Sequence, residues 1–550
     1  MIDSKPGLLS ALARHEALYL GLAAFALFMI GIWHQPFINF ESRFAVFAQE
    51  MLRNGPTLFP TTYGQPYPDY PVTSTLLIWL VSLPFGAVSK FTAVLPTALA
   101  AAIIVALTYK LFAQYSRPWA LLAIGFEFLT LTFDAEARSI SVDQMVSALT
   151  LAAFYLTHKS HREGSALPIK ALSLLLIAGF LIRGPIGVVI PAGVVISHLL
   201  LTSGRREVLV FAAYSGAVLL ACSAALLGLA MLAYGTGFVT DIIRMQAVNR
   251  FSESTPHPIY YYFVSSFGNY ALSYPIAILV ALSLLASNLR AGAQRLSAEH
   301  TALVVLLVAW IAIVLGGLSI PETKKVRYIL PVVPPLAALA GFVLVDSEYR
   351  SMKWLRSVVE AVLIALPLLA ALLVHTQRAR LAEAGVNILF VVAGLCALFL
   401  LGVLVSTRSK LAEQKRSLGI CGLAAAAAYS MQLFVVEPMD LHLHDTSGFV
   451  RHVESLMAQR PGKLVFYKEN PDGLPIKYLV NAKTDIKPLF INSADEFKNN
   501  ASPIWLLTKD ENVEGLRKEG VDVEAFIDHE NFAKSPFAAI YVSAHQIKPD

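Results

Sequence analysis

The chain has 550 residues, of which 56% are hydrophobic and only 15% are charged. Ordinary globular proteins carry about 25% charged residues, so the composition argues against a soluble enzyme, a disordered chain and a secreted disulfide scaffold. The 43 Lys and Arg nearly balance the 38 Asp and Glu, and a net charge of +5 is too even for a nucleic-acid-binding protein. The composition predicts an integral membrane protein.

Long apolar runs set the expected architecture, because about 17 to 25 apolar residues span a bilayer as one helix. Thirteen runs qualify: 17–33, 93–113, 117–133, 142–157, 168–182, 186–202, 208–233, 263–286, 300–319, 329–346, 357–375, 386–406 and 418–436. A further run at 71–86 is short and bounded by prolines, so its length alone does not decide whether it spans. We expect a mainly α-helical polytopic domain over residues 1–436.

Basic connections indicate the orientation, because Lys and Arg concentrate in short cytoplasmic loops. Six basic connections share one side if 71–86 does not cross: Lys110 with Arg117, Lys159 with Arg162, Arg205 with Arg206, Arg290 with Arg295, Arg350 with Lys353 and Arg356, and Arg408 with Lys410, Lys415 and Arg416. With the N-terminus in the cytoplasm, the long loops 34–92 and 234–262 then lie on the exterior side of the membrane, together with the hydrophilic tail.

The tail over residues 437–550 changes composition abruptly and predicts a small exterior α/β domain. Runs typical of strands occur at 463–468, 503–508 and 537–543, and runs typical of surface helices or turns at 493–500 and 512–520.

The first exterior loop contains a candidate amphipathic helix that begins near Glu41. Its apolar spacing comes from Phe44, Phe47, Ala48 and Met51, which predicts a helix lying on the membrane surface. Glu41 would then lie at the helix start, where the macrodipole favours an anion. From position alone, Glu41 either stabilises the helix or takes part in chemistry.

A second group of ionisable residues connects two apolar runs. Asp134, Glu136, Arg138 and Asp143 fall within ten residues, and Asp143 enters the first turn of the next helix. Ionisable groups beside the hydrocarbon are costly and are therefore candidates for function. Asp143 is either a helix cap or a functional carboxylate.

A third group is basic and lies on the exterior side. It consists of Arg183 in the turn Arg183-Gly184-Pro185, Arg244 and Arg250, and Lys324, Lys325, Arg327 and Tyr328. Cations in a short exterior loop oppose the orientation rule. A membrane-embedded phosphate would explain them, because Lys and Arg form charge-assisted hydrogen bonds to its oxygens. Attraction to generic anionic headgroups is the alternative.

Carboxylates and cations gathered at one membrane face suit the transfer of a sugar from a lipid phosphate. The cations would hold the leaving phosphate, and a carboxylate would take a proton from the acceptor or steady the sugar cation. The sequence has no GxxxxGK[ST] signature, which argues against ATP-driven transport.

Five motifs in order resemble the integral-membrane GT-C glycosyltransferases of the bacterial aminoarabinose (lipid A) transferase and protein O-mannosyltransferase-like family. They are Phe40-Glu41-Ser42-Arg43-Phe44-Ala45, Tyr67-Pro68-Asp69-Tyr70-Pro71, Asp143, Arg183-Gly184-Pro185, and Lys325-Val326-Arg327-Tyr328-Ile329-Leu330-Pro331. The resemblance covers most of residues 15–345. It implies an inverting enzyme of the bacterial inner membrane that uses a polyprenyl-phosphate sugar donor at the periplasmic side.

The resemblance also implies roles for particular residues. Glu41 and Asp143 are the expected catalytic residues. The donor phosphate is expected at Arg183, Arg250, Lys324, Lys325, Arg327 and Tyr328, in a pocket with Arg43, Asp69, Tyr70, His257 and Tyr261. Members of the family can carry a divalent metal ion, and Asp69 and His257 match its ligand positions. Taken alone, a single His beside tyrosines is more typical of an interfacial hydrogen-bonding residue.

Two departures from the family pattern affect these roles. Phe40 occupies the family's first acidic position, and Tyr70 occupies a position that is Lys in the family. Either Glu41 and Asp143 share the chemistry with Lys325 and Arg327 as the main phosphate clamp, or the chain is a divergent member that uses another sugar or has little activity.

The resulting prediction is a monomeric glycosyltransferase that moves a sugar from undecaprenyl phosphate to lipid A, another glycan or a protein. The main alternative is a lipid-linked glycan polymerase, flippase or transporter, although a transporter would place polar residues near the bilayer midplane. A membrane-anchored binding protein that acts through its tail is a third class.

Overall fold

A computed structural model describes residues 7–38, 42–69, 71–251, 256–289, 298–345, 350–408, 412–497, 502–519, 521, 524–532 and 534–543. The first ten helices, α1 to α10, are Gly7–Met29, Ser42–Asn54, Thr73–Ser82, Lys90–Phe112, Arg117–Phe128, Leu131–Ala137, Val142–Arg162, Ile169–Arg183, Ile186–Thr202 and Arg205–Ile243. The next nine, α11 to α19, are Asn249–Phe251, Tyr261–Asn269, Ser273–Leu289, Ala298–Ser319, Val333–Phe342, Arg350–Thr376, Arg378–Glu383, Ile388–Thr407 and Glu413–Met431.

The helices confirm a polytopic α-helical membrane domain, although they do not fix the number of spans. Among the described residues, six helices are long and apolar enough to cross a bilayer, and eight spans result if two bent helix pairs each count as one. Four shorter apolar helices cover 15–29, 73–85, 186–202 and 326–342. Every predicted apolar run overlaps a helix. Because the number of helices that cross the bilayer is not fixed, the count of thirteen spans stays a prediction.

Both bent pairs contain a sharp turn within an apolar segment. The helices α6 and α7 meet at 111°, and the break between them carries Ser139 to Ser141. The helix α12 meets residues 273–284 of α13 at 116°. A break leaves backbone N–H and C=O groups without helical partners, which is tolerated at membrane depth only where protein or a water-filled cavity surrounds them.

The C-terminal domain contains four further helices, α20 to α23, at Glu437–His444, Ser447–Gln459, Leu474–Asn481 and Asp510–Lys518. The first loop contains a small hairpin of β1 Thr61–Thr62 and β2 Gln65–Pro66. The five strands of the C-terminal domain are β3 Lys463–Tyr467, β4 Leu489–Ile491, β5 Ile504–Lys509, β6 Glu524–Phe532 and β7 Ser535–Val542. The sheet order is β4-β3-β5-β7-β6. The strand β3 runs parallel to β4 and β5, whereas β7 is antiparallel to β5 and β6.

This domain confirms the predicted α/β tail and its three predicted strands. Two strands, β4 and β6, were not apparent from the sequence. The first is only three residues long, and the second carries Asp528, His529 and Glu530 and has register shifts. The predicted segments at 493–500 and 512–520 contain a 3₁₀ turn, Ala494–Phe497, and the helix α23. The boundary at residue 437 stays a prediction, because α19 continues through a π-helical turn, Gln432–Val436, into α20.

The predicted amphipathic helix of the first loop exists as α2, and its apolar face packs against protein. Phe44, Phe47, Ala48 and Met51 are buried within the protein. The helix packs against α3 and against α22 of the C-terminal domain. Protein therefore covers the apolar face, and the position of the helix at the membrane surface stays a prediction. An apolar helical face can pack on protein or on a bilayer, and the spacing does not distinguish the two.

Arg138 joins the membrane domain to the first helix of the C-terminal domain. Its side chain is 2% exposed and forms an ion pair with Glu437, at the start of α20. It also donates hydrogen bonds to the carbonyl oxygens of Phe28 and Ile30, both at 2.7 Å. Five donors in a planar group suit Arg to satisfying the last carbonyls of α1 while pairing with a carboxylate. Arg138 thus has a structural role.

Candidate functional site

Asp143 occupies the first turn of α7 but does not cap that helix. The cap is Ser141, whose Oγ accepts a hydrogen bond from the Gln144 N–H at 3.3 Å. Asp143 is 5% exposed. Because Ser141 already satisfies the helix end, capping does not explain a buried carboxylate at this position.

Asp143 lies between two arginines. Arg183 Nε donates to Asp143 Oδ1 at 2.9 Å, and Arg327 Nε is 3.2 Å from Oδ2. The side chains of Arg183 and Asp143 are 2% and 6% exposed, and that of Arg327 is 22% exposed. Two guanidinium groups thus face one carboxylate, and guanidinium groups are well suited to binding phosphate oxygens.

Local structure explains how these three residues meet. Arg183 is the last residue of α8, and Gly184 follows it with φ +67° and ψ −148°, a conformation that side chains other than hydrogen strongly disfavour. Arg327 lies in the 3₁₀ turn Val326–Val332, which precedes α15. Chain reversal at Gly184 and the tight turn at 326–332 bring both arginines to the start of α7.

Tyr328 connects the arginine pair with a large apolar cavity. The Arg183 guanidinium lies over the Tyr328 ring, 5.2 Å from its centroid. Tyr328 also lines a cavity of about 420 Å³. The other lining residues are predominantly apolar: Pro185, Ile186, Val189, Ile190, Gly193, Gln246, Phe251, Ile313, Val314, Gly317, Leu318, Pro321 and Thr323. Tyr328 therefore lies between Arg183 and an apolar cavity.

Gln246 is a residue of the site that sequence reasoning missed. It lines the cavity, and its Nε2 donates to the Asp69 carbonyl oxygen at 3.0 Å. Its Oε1 lies 3.0 Å from where a Cβ on Gly184 would be. Gln246 therefore joins the first exterior loop to the turn that carries Arg183. A polar residue in a polar loop gives no sequence signal for this role.

The two predicted lysines differ in their surroundings. Lys324 is 4% exposed, and its Nζ donates to the carbonyl oxygens of Pro321 and His257 at 2.6 and 3.0 Å. Lys325 is exposed. Lys324 thus ties its own turn to the 257 loop, and neither lysine has a described contact with Asp143. Their binding of a donor phosphate stays a prediction.

The predicted metal position shows no complete ligand set. Among the described residues, no group of three or more His, Cys, Asp or Glu side chains could hold a metal ion. His257 is exposed and its ring lies 4.4 Å, centroid to centroid, from that of Tyr261. The described residues at this position therefore do not fit a protein-held metal, and no chemistry is assigned to one.

Arg43 lies where the first loop meets the C-terminal domain. Its Nη1 donates to the Tyr67 hydroxyl at 2.6 Å, and its Nη2 donates to the Asp472 carbonyl oxygen at 3.4 Å. The neighbouring Tyr63 hydroxyl donates to the Pro471 carbonyl oxygen at 2.6 Å. Burial raises the pKa of Tyr63 above its usual range. The C-terminal domain therefore contacts the same loop that carries the predicted site residues.

Three predicted site residues, Glu41, Tyr70 and Arg250, have no described side chain. Glu41 and Tyr70 lie outside the described residues, and so does Phe40, the departure from the family pattern. Arg250 belongs to the short helix α11, but its side chain also lies outside the described part of the chain. Their roles stay predictions. The structure brings together Asp143, Arg183, Arg327 and Tyr328.

The fold and site define a polytopic membrane protein in which two arginines face a buried carboxylate near an apolar cavity. The fold is similar to two solved structures of ArnT from Cupriavidus metallidurans, one bound to undecaprenyl phosphate and one in the apo state. The TM-scores are 0.70 and 0.68 at 15% identity. Each alignment covers 98% of this chain, and 99% and 100% of the solved chains respectively. At this identity the likeness shows the fold.

The chain belongs to the Alg9-like mannosyltransferase family, whose sequence model matches residues 67–389. This match confirms the resemblance to GT-C glycosyltransferases.

Two curated relatives are named undecaprenyl phosphate-alpha-4-amino-4-deoxy-L-arabinose arabinosyl transferase. They come from Pseudomonas paraeruginosa strain DSM 24068 / PA7 and Pseudomonas aeruginosa strain UCBPP-PA14. Each is 28% identical to the chain, over 347 and 353 residues. These matches cover 60% and 61% of this chain and the same shares of the relatives. The chain thus matches about three fifths of the length of these relatives.

Proposed function

We propose that the protein is a glycosyltransferase of the bacterial inner membrane that takes a sugar from undecaprenyl phosphate at the periplasmic face. The observation that carries the proposal is the Asp143–Arg183–Arg327 group beside Tyr328, a residue that lines a 420 Å³ apolar cavity. A lipid phosphate has two parts that match these features: an anionic head for the arginines and a long apolar chain for the cavity. The names of the relatives and the ligand of the solved structure agree with this donor.

The chemistry assigned to the site is displacement at the anomeric carbon. The acceptor oxygen forms a bond to that carbon on one face, the bond to the donor phosphate oxygen breaks, and the electron pair leaves with the phosphate. Arg183 and Arg327 stabilise the charge that develops on the leaving phosphate. Attack on the opposite face inverts the configuration of the sugar.

Asp143 acts in this scheme by fixing both arginines and by stabilising the positive charge that develops on the sugar ring. Its two oxygens already face the guanidinium groups of Arg183 and Arg327, so we assign it no proton transfer. The acceptor therefore needs another base or must be an anion already. A phosphate of lipid A is such an anion, and Glu41 is the proposed base for a hydroxyl acceptor.

The direct test uses the full-length protein as a monomer in lipid nanodiscs with undecaprenyl-phosphate aminoarabinose and lipid A. Mass spectrometry should detect lipid A that gains one aminoarabinose and a matching amount of free undecaprenyl phosphate. Undecaprenyl-phosphate mannose with a hydroxyl-bearing glycan or peptide forms the second arm. Donor that stays intact in both arms for the folded wild-type protein would overturn the proposal.

A further inference from the structure

A second cavity lies near the end of α7 that is opposite Asp143. It has a volume of about 540 Å³ and lies between the last turns of α7, the end of α9 and the start of α10. Thr157 and Ser160 of α7 line it. At a rise of about 1.5 Å per residue, these two residues lie roughly 20 to 25 Å from Asp143 along the helix. The cavity is therefore separate from the arginine site.

The charge in the lining of this cavity is negative. Among the described residues, the lining contains no Lys or Arg, and apart from His161 and His198 its only titratable residue is Glu207. Glu207 lies in the first turn of α10, where the helix macrodipole favours an anion. No described residue forms an ion pair or a hydrogen bond with its carboxylate. Arg205 and Arg206 precede Glu207 in the chain but do not line the cavity.

The floor of the cavity is buried and presents hydrogen-bond acceptors. Thr157 and Ser160 are 1% and 7% exposed. Their hydroxyls donate to backbone carbonyl oxygens of the preceding turn of α7, at 2.9 and 3.0 Å. Each hydroxyl proton is thus used, and the lone pairs of its oxygen stay available. The His198 ring offers no donor, because its Nε2 and Nδ1 lie 3.1 Å from His158 Nδ1 and from the Thr202 hydroxyl.

The walls of the cavity are apolar and continue onto the outer surface of the membrane domain. Leu199 and Phe211 are buried wall residues. Val210 also lines the cavity and is exposed, and so are its neighbours Leu200 and Leu209. Contiguous exposed apolar residues mark a surface that contacts a membrane. The cavity is therefore placed to receive a ligand from the bilayer.

We propose that this cavity binds a membrane lipid with a primary ammonium headgroup. An ammonium has a positive charge and three N–H donors, which match the carboxylate of Glu207 and the acceptor oxygens of Thr157 and Ser160. Part of an acyl chain follows the walls at Leu199 and Phe211 toward the bilayer. The volume lies in the range of small-molecule sites, about 300 to 1,000 Å³. The lipid would join α9 to α10, and this proposal stands independently of the sugar chemistry.

The test is photocrosslinking of the full-length protein in phosphatidylcholine nanodiscs that contain a photoactivatable phosphatidylethanolamine. Peptides from 157–169 and 198–211 should carry the label. The comparison lipid is the N-acetyl form of the same probe, in which the headgroup nitrogen has lost its charge. Its labelling of these peptides should be lower by about tenfold or more, because charge-assisted hydrogen bonds are the strong ones. Equal labelling by the two lipids would overturn the proposal.

A charge-neutral variant tests the carboxylate. Glu207→Gln keeps the size of the side chain and should lower labelling by phosphatidylethanolamine about tenfold or more. The matched control is Glu299→Gln, which removes a carboxylate that pairs with Arg162, the last residue of α7, and does not line the cavity. This control should leave labelling unchanged. Equal losses in both variants would show general surface attraction and overturn the site.

A space-filling variant tests the cavity itself. Ala166→Trp, at an exposed lining position, should block the cavity and lower labelling while the charge is unchanged. Full labelling of this variant would place the lipid elsewhere and overturn the proposal. Displacement of the label by soluble ethanolamine at millimolar concentration would assign the cavity to a soluble amine and would also overturn the lipid as its ligand.

Discussion

Arg183 Nε lies 2.9 Å from Asp143 Oδ1, and these two side chains are 2% and 6% exposed. The ion pair joins the end of α8 to the start of α7, and Arg327 completes it from a third segment. Buried ion pairs add little net stability, since desolvation offsets their attraction. A buried ion pair beside Tyr328, which lines the apolar cavity, is better explained by ligand binding.

Replacement of Asp143 tests whether the carboxylate organises the site. We expect Asp143→Asn to lower the kcat of sugar transfer about 100-fold or more, because a misplaced cation no longer matches the leaving phosphate. Loss of one partner from a buried ion pair also costs about 3–5 kcal/mol, so thermal unfolding must be measured in parallel. A folded Asp143→Asn variant with wild-type kcat would show that the carboxylate has no part in the reaction.

The arginine and the exposed lysine of one turn can be compared directly. Arg327→Ala should raise the KM for the donor about tenfold to 100-fold, because a charge-assisted hydrogen bond contributes about 1.5–3 kcal/mol. Lys325→Ala should have a smaller effect, since this side chain is exposed. Steady-state kinetics over a range of donor concentrations separates the two, and the opposite ranking would assign the phosphate to Lys325.

Gly184 offers a test of the turn behind Arg183. Gly184→Ala introduces a Cβ at φ +67°, with Gln246 Oε1 3.0 Å away, and should cost about 1–3 kcal/mol of unfolding free energy. Activity should fall with it, because Arg183 precedes the turn. Gly216→Ala is the control: this helical glycine has no heavy atom within 4 Å of an added Cβ. Equal stabilities of the two variants would show that the turn tolerates a side chain.

Glu469 predicts a pH dependence in the C-terminal domain. Burial raises the pKa of this carboxyl above its usual value of 4.5, and no described residue donates a hydrogen bond to its Oε1. The folded state therefore binds the proton more tightly, and the contribution of Glu469 to stability falls as the pH rises from about 4.5 through the folded pKa. Glu469→Gln should resist urea better than the wild type at pH 7, and the difference should shrink at pH 4. An advantage that is independent of pH would contradict this assignment.

Asn481 tests the docking of the C-terminal domain on the first loop. Its Oδ1 accepts from the Phe37 N–H at 3.3 Å, and its Nδ2 donates to the Phe37 carbonyl at 2.9 Å. Loss of both bonds in Asn481→Leu should weaken docking by about 1–3 kcal/mol and accelerate hydrogen exchange in α2. Asp485→Asn is the control, because its ion pair with Arg53 is exposed and contributes little. Unchanged exchange in Asn481→Leu would show that the docking is held elsewhere.

Particular elements show how far sequence patterns reach. The apolar runs and the strands at 463–468, 503–508 and 537–543 were predictable, because burial and local periodicity are written along the chain. The helix α2 was also predictable from its spacing, but its partner was not. Its apolar face meets α22, more than 400 residues away, and no local signal identifies that surface.

The sequence by itself determined a polytopic membrane protein with an α/β tail and ionisable residues concentrated at helix ends, because these features follow from hydropathy and charge position. Only the tertiary structure decided that Asp143 pairs with Arg183 and Arg327, that Lys324 is tied to backbone carbonyls, and that Gln246 lines the cavity. Pairing depends on how turns and helix packing orient side chains from distant segments, and a linear pattern contains no record of that orientation.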